Sequence, residues 1–138
     1  MADVKYVVNV EGAVVRDRQY LMIIRGQAET HAGGMLSFVD GKVEVARHAE
    51  NVLEEVGVQI GEMAYVQSSH FIANDGDLVI DVIFLCRYKS GESHIHNVGE
   101  VGAILWLDIS EILQHLSSLP WLKQGIQRVE ELRRQLNW

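Results

Sequence analysis

The chain of 138 residues has one cysteine, one proline and no apolar run long enough to cross a bilayer. With Cys86 as its only cysteine, an internal disulfide is excluded, and a reducing, cytoplasmic setting is expected. The place of Cys86 in "LVIDVIFLC" reads as a strand-core thiol. That run and "VGAILWL" are interrupted or short, so no membrane partner is expected. The opening "MADVKYVVNV" lacks the basic start, apolar core and cleavage site of an export signal. Basic residues are few: 12 Lys and Arg stand against 19 Asp and Glu, a formal charge of −7. Nucleic acid polymers are bound by neutralising phosphates, and such a partner is not expected here. A small phosphate compound is compatible with the charge, because a divalent cation turns a carboxylate cluster into a phosphate receptor.

The rest of the composition, 48% hydrophobic and 22% charged, is that of an ordinary globular chain. It reads as a single domain over 1–138, large enough to bury a core unaided. "KYVVNVEGAVVRDRQYLMIIRG" holds two β-branched runs around "RDRQ", a strand-turn-strand. A polar, glycine-ended loop, "QAETHAGG", leads into the short apolar run "MLSFV". "EMAYVQSSHFIA" and "LVIDVIFLCRY" flank "NDGD", a strong hairpin signal. After the loop "KSGESHIHNVGE" comes a buried strand, "VGAILWLD", and Ser110 opens a short helix, "EILQHL". A longer helix begins at Pro120, with Leu122, Ile126, Val129, Leu132 and Leu136 on one face. Strands and helices do not alternate regularly, which predicts a mixed α/β domain rather than a parallel doubly wound sheet.

Residues 46–57 separate cleanly at about 100° per residue. Ala46, Ala49, Val52, Leu53 and Val56 fall on one side, and Arg47, Glu50, Asn51, Glu54 and Glu55 on the other. The spacing predicts a helix over 46–57, packed through Ala49, Leu53 and Val56 and stopped by Gly57. Asn51, Glu54 and Glu55 then share one patch. Such a patch is often only a solvated acidic face. Two adjacent carboxylates also suit a hard cation between them, Mg²⁺ or Mn²⁺.

"DGKVE…LEEVGV", following a strand and a glycine-containing loop, resembles the Nudix hydrolase box. That pattern runs Gly, five residues, Glu, seven residues, then Arg-Glu-apolar-X-Glu-Glu-X-Gly-apolar. The strand-turn-strand before it and "GEVGAILWLDISEIL" after it extend the resemblance over nearly the whole chain. The resemblance implies an α/β/α sandwich with a mixed sheet. It also implies cleavage of the pyrophosphate bond of a nucleoside diphosphate linked to another group, with a divalent cation on the box glutamates. Gly41 matches the opening glycine, followed by Lys42. Glu54 and Glu55 match the paired carboxylates, Gly57 the closing glycine and Val58 the last apolar site. Glu44 lies near the internal glutamate. Carried over in this way, Glu54 and Glu55 are catalytic and hold the metal, with Asn51 and Glu100 as further ligands. Arg25, Gly41, Lys42 and Glu44 contact the substrate, and a homodimer is allowed.

The match departs from the pattern in length and in charge. Gly41 to Val58 is 18 residues, five fewer than the pattern, and Asp40 stands where a second glycine is common. Glu50-Asn51 replaces Arg-Glu. An amide can ligate a hard cation, but it brings no charge and cannot act as a base. The alternative expectation is therefore a catalytically weak Nudix-fold module that binds a nucleotide or a protein. His94 and His96 would share a face in an extended segment, but the sequence offers no third zinc ligand. Trp106 reads as core.

Overall fold

The structure is a computed structural model describing residues 5–27, 33–40, 51–53, 56–73, 75–95 and 98–138, apart from the side chains of 40 and 51–53. The two β-branched runs form β1 (Tyr6–Arg16) and β2 (Gln19–Arg25). They are joined by Asp17 and Arg18, both at positive φ, as a two-residue hairpin turn requires. "LSFVD" is β3 (Leu36–Asp40). Then follow β4 (Asn51–Leu53), β5 (Val58–Ile72), β6 (Leu78–Ser90) and β7 (Val101–Leu107). The β5–β6 hairpin turns where Asp75 accepts a hydrogen bond from the Asp77 amide at 3.0 Å. Helices α1 (Ile109–Gln114) and α2 (Pro120–Leu136) complete the described chain.

The strands make one mixed sheet in the order β4-β5-β6-β1-β3-β2-β7, with β1 also pairing β2. Among the described residues only β1 and β6 run parallel, over Tyr6↔Leu78 to Val15↔Arg87. Alternation along each strand sends side chains to two cores. Ala13, Val15, Tyr20, Met22, Phe38, Ile83 and Leu85 meet α1 and α2 through Ile112, Leu122, Ile126 and Val129. Val14, Leu21, Ile23, Val39 and Cys86 form the core of the other face, together with Val56, Val58, Ile60 and Val101. Among the described residues no helix lies on that second face, and none is long and apolar enough to cross a membrane.

The helix expected over 46–57 is corrected where the structure describes it. Asn51–Leu53 form β4, pairing Asn51↔Ile60, Val52↔Gln59 and Leu53↔Val58, and Val56-Gly57 form a turn. Residues 46–50, 54 and 55 lie outside the described residues. The cause is the sequence on both sides of Gly57. Val56, Val58 and Ile60 alternate and are buried, so "VQI" is a strand that needs a partner, and Val52-Leu53 can supply one. A helix of 12 residues is marginal against such pairing. Gly57, at φ +73°, takes the left-handed conformation expected of a helix stop but uses it to close a hairpin. A smaller correction concerns α1. Its N-cap is Asp108, not Ser110, in a capping box where Asp108 accepts from the Glu111 amide at 2.8 Å and Glu111 accepts from the Asp108 amide at 3.1 Å.

Candidate functional site

Two strand ends build the first corner. The β2–β7 ladder runs antiparallel from Tyr20↔Leu107 to Arg25↔Val101, with an irregularity between Ile24 and Arg25. This brings Arg25 and Glu100, far apart in sequence, to one margin of the sheet. The Gly26 amide donates to the Glu100 carbonyl at 2.7 Å, and the Arg25 amide to the Met35 carbonyl at 2.9 Å. A Cβ on Gly26 would run into the backbone of Gly99 and Glu100, so only glycine allows this approach. Arg25 is half-buried and Glu100 exposed.

The second corner is the turn after the paired glutamates. The His94 amide donates to the Val56 carbonyl at 3.0 Å, and its imidazole lies where a side chain on Gly57 would be. The Tyr88 hydroxyl donates to the Gly91 carbonyl at 2.8 Å and fastens the start of the same loop. The chain around His94 thus packs over the residue pair that follows Glu54-Glu55 in sequence. The pattern "SHIHN" does not reveal this packing, because it depends on a tertiary contact with a glycine.

The two corners share a core. Val56 follows Glu55, Val101 follows Glu100, Val39 precedes Asp40-Gly41, and Ile23 stands two residues before Arg25. All four are fully buried in the second-face cluster. One packed cluster therefore anchors chain segments adjoining Glu55, Glu100, Arg25 and Gly41. Glu54, Glu55, Gly41, Lys42 and Glu44 themselves lie outside the described residues. Asn51 is described by its backbone in β4, so the helical spacing that would group it with the two glutamates does not hold.

The expected donors, Glu54, Glu55 and Glu100 with the amide oxygen of Asn51, are all oxygen atoms, a set chemically suited to Mg²⁺ or Mn²⁺. Among the described residues no three His, Cys, Asp or Glu side chains gather into a metal site. The clear proton-affinity shifts are structural. Burial pushes the Cys86 thiol up to about 12, which keeps it an unreactive thiol at neutral pH. Burial, and then the hydrogen bond to Glu130, also raises Tyr20.

Trp106, read from the sequence as core, is partly buried toward the other end of β7, where it pairs Leu21. The Arg16 guanidinium lies 4.0 Å from its ring centroid and 4.8 Å from that of Tyr88. The two rings meet edge to face at 5.8 Å. Packing against an arginine accounts for this tryptophan.

No protein-family model and no curated protein matches the chain. Solved structures do. The MutT NUDIX hydrolase from Burkholderia pseudomallei matches with a TM-score of 0.71 and 21% identity, over 91% of this chain and 98% of the other. A NUDIX hydrolase from Nitrosomonas europaea matches with a TM-score of 0.69 and 19% identity, over 92% and 90%. The NUDIX domain of Shewanella oneidensis NrtR, solved with ADP ribose, matches with a TM-score of 0.61 and 14% identity, over 99% and 90%. In the described residues the shared architecture is the mixed sheet and one helical layer. The chain has the fold of the Nudix hydrolases, the α/β/α sandwich expected from its sequence.

Proposed function

We propose that this chain hydrolyses the pyrophosphate bond of a nucleoside diphosphate derivative in the presence of Mg²⁺ or Mn²⁺. The observation that supports this most is the single buried cluster adjoining Glu55, Glu100, Arg25 and Gly41 within a Nudix fold. Glu54 and Glu55 would hold the cation, with Glu100 as an outer ligand and Asn51 as a neutral one. When bound, the cation polarises the pyrophosphate and lowers the pKa of the attacking water. The chain supplies the rest. Arg25 offers a guanidinium to phosphate oxygens, a strong charge-assisted pairing. Gly41 allows the backbone to approach the diphosphate closely, and Lys42 and Glu44 contact the substrate beside it. The paired carboxylates of Glu54 and Glu55 accept the proton of the water.

Two observations favour a second reading. Asn51 lies in a strand, away from the helical arrangement that would add it to a carboxylate patch, and the box is five residues short. Both features weaken cation binding and favour a module that holds a nucleotide, as the NUDIX domain of NrtR holds ADP ribose. A phosphate-release screen over ADP-ribose and nucleotide sugars, with and without Mg²⁺, separates the two. Cation-dependent cleavage that disappears in Glu54→Gln/Glu55→Gln is the expected result. Binding of ADP-ribose without cleavage selects the module, and neither cleavage nor binding removes both readings.

A further inference from the structure

The turn end of β1 carries an arginine that is held in place but lacks an acceptor. Arg16 closes the β1–β2 hairpin opposite Gln19 and follows Val14 on the second face. Its guanidinium lies over the rings of Trp106 and Tyr88, at 4.0 and 4.8 Å from their centroids. The rings are fixed in turn, edge to face with each other, with the Tyr88 hydroxyl bonded to the Gly91 carbonyl. Ring contact offsets part of the charge. Among the described residues, however, no hydrogen bond or ion pair uses the N–H donors of Arg16, whereas Arg87, Arg133 and Arg134 pair with glutamates. Arg16 is half-buried, yet none of its nitrogens is sealed from water. Arg18 in the turn and Lys89, next to Tyr88 in β6, are exposed and likewise have no carboxylate partner among the described residues. In a chain of formal charge −7, this end of the second face holds a local excess of unpaired cations.

We propose that Arg16, mounted on Trp106 and Tyr88, binds a phosphate group of a small-molecule ligand. A guanidinium already fixed by ring contacts needs little further ordering to offer paired N–H bonds to an oxyanion. A carboxylate shares that geometry, but the added charge of Arg18 and Lys89 favours the more highly charged phosphate. The choice of phosphate also rests on the proposed pyrophosphate chemistry. The site is separate from the Arg25–Glu100 corner. Along β2, Gln19 and Arg25 stand about 20 Å apart, and the rings pin Arg16 at the Gln19 end. The two arginines therefore serve different phosphate groups.

Proton–nitrogen NMR of the chain in EDTA, at constant ionic strength, tests this with inorganic phosphate, acetate and chloride as probes. Arg16→Gln identifies the Arg16 Nε–H signal, and Trp106→Phe the Trp106 indole signal. Phosphate should shift both signals saturably, acetate should bind more weakly, and chloride should not bind. Arg16→Gln should weaken phosphate binding, read at the Trp106 indole, by at least about tenfold, as expected for losing a charge-assisted hydrogen bond. Arg18→Gln should weaken it by no more than about threefold, as expected for an exposed charge. Trp106→Leu, which keeps the charge but removes its mount, should fall between the two when read at Arg16. Circular dichroism confirms that each variant is folded. An Arg16 signal that phosphate does not shift overturns the proposal, as does an equal response to chloride or binding undiminished in Arg16→Gln. Acetate binding more tightly than phosphate overturns the choice of ligand. With no nucleotide or cation present, the result does not depend on whether the chain cleaves a pyrophosphate bond.

Discussion

The two faces of the sheet are held in different ways. On the helical face, α2 brings Glu130 onto β2, where the residue is 5% exposed. It accepts from the Tyr20 hydroxyl at 2.9 Å and from the Arg133 Nε at 2.7 Å. Arg133 also donates to the Trp138 carbonyl, so the C-terminal residue is tied to the same network. Among the described residues no buried side-chain polar atom is left without a partner. The second face is closed differently where it is described. Its apolar cluster is closed at two corners by backbone approach, at Gly26 against Gly99-Glu100 and at Gly57 beneath His94. The first face derives its stability from side-chain packing and a satisfied buried charge. The second gives up some packing freedom to hold the strand ends next to the candidate site in place.

Three changes should sharpen this contrast. Glu130→Ala removes the carboxylate from Arg133, whose side chain is 11% exposed, and leaves a buried guanidinium without its ion pair. A loss of about 3–5 kcal/mol in unfolding free energy is expected by urea titration, with cleavage per folded molecule unchanged. Gly26→Ala should show the opposite pattern. Overpacking costs about 1–3 kcal/mol, but the displaced Glu100 backbone should lower cleavage by about 10²-fold, the usual penalty for misplacing a site by an ångström. Equal loss of activity in the two variants would erase the distinction.

The third change concerns pH. A buried Cys86 stays protonated up to about 12, whereas in the unfolded chain it ionises around its ordinary 9.0. Tyr20 is shifted in the same direction, by burial first and Glu130 second. Both groups bind protons more tightly when folded, so their contribution is complete below pH 9 and declines as pH rises above it. The urea midpoint should hold steady from pH 7 to 8.5 and fall by pH 11. Cys86→Ala should remove the earlier part of the fall and Tyr20→Phe the later part. A midpoint that rises across this range would contradict the burial of both groups.

The sequence made one helix legible and misled on another for a physical reason. Pro120–Leu136 and 46–57 both segregate apolar residues at helical spacing. In α2 three local cues agree, although its N-cap is Leu119 and not one of the preceding serines. Pro120 is at the first turn, Arg133 and Arg134 are in the last, and Asn137 closes the end at φ 57°. Leu122, Ile126 and Val129 are buried as expected, although Leu136 is 39% exposed. Around Asn51 the same residues also fit a strand pattern, and the neighbouring "VQI" supplies the partner. The hairpins at Asp17-Arg18 and Asp75-Gly76 were legible because their turn chemistry is local. The Arg25–Glu100 corner was only half legible. Each residue could be picked out, but their meeting depends on the β2–β7 ladder and on Gly26, whose role no local pattern encodes. The packing of His94 on Gly57 lacked any local signal.

The central claim is that Glu54 and Glu55 hold a divalent cation beside this buried cluster. Calorimetric titration of Mn²⁺ into the parent chain and into Glu54→Gln/Glu55→Gln tests it most directly, without depending on any substrate. Losing even a supporting partner of a metal site typically costs about 10- to 100-fold in affinity, so losing both carboxylates should abolish measurable binding while the fold is retained. Mn²⁺ binding of unchanged affinity in the double variant would contradict the claim.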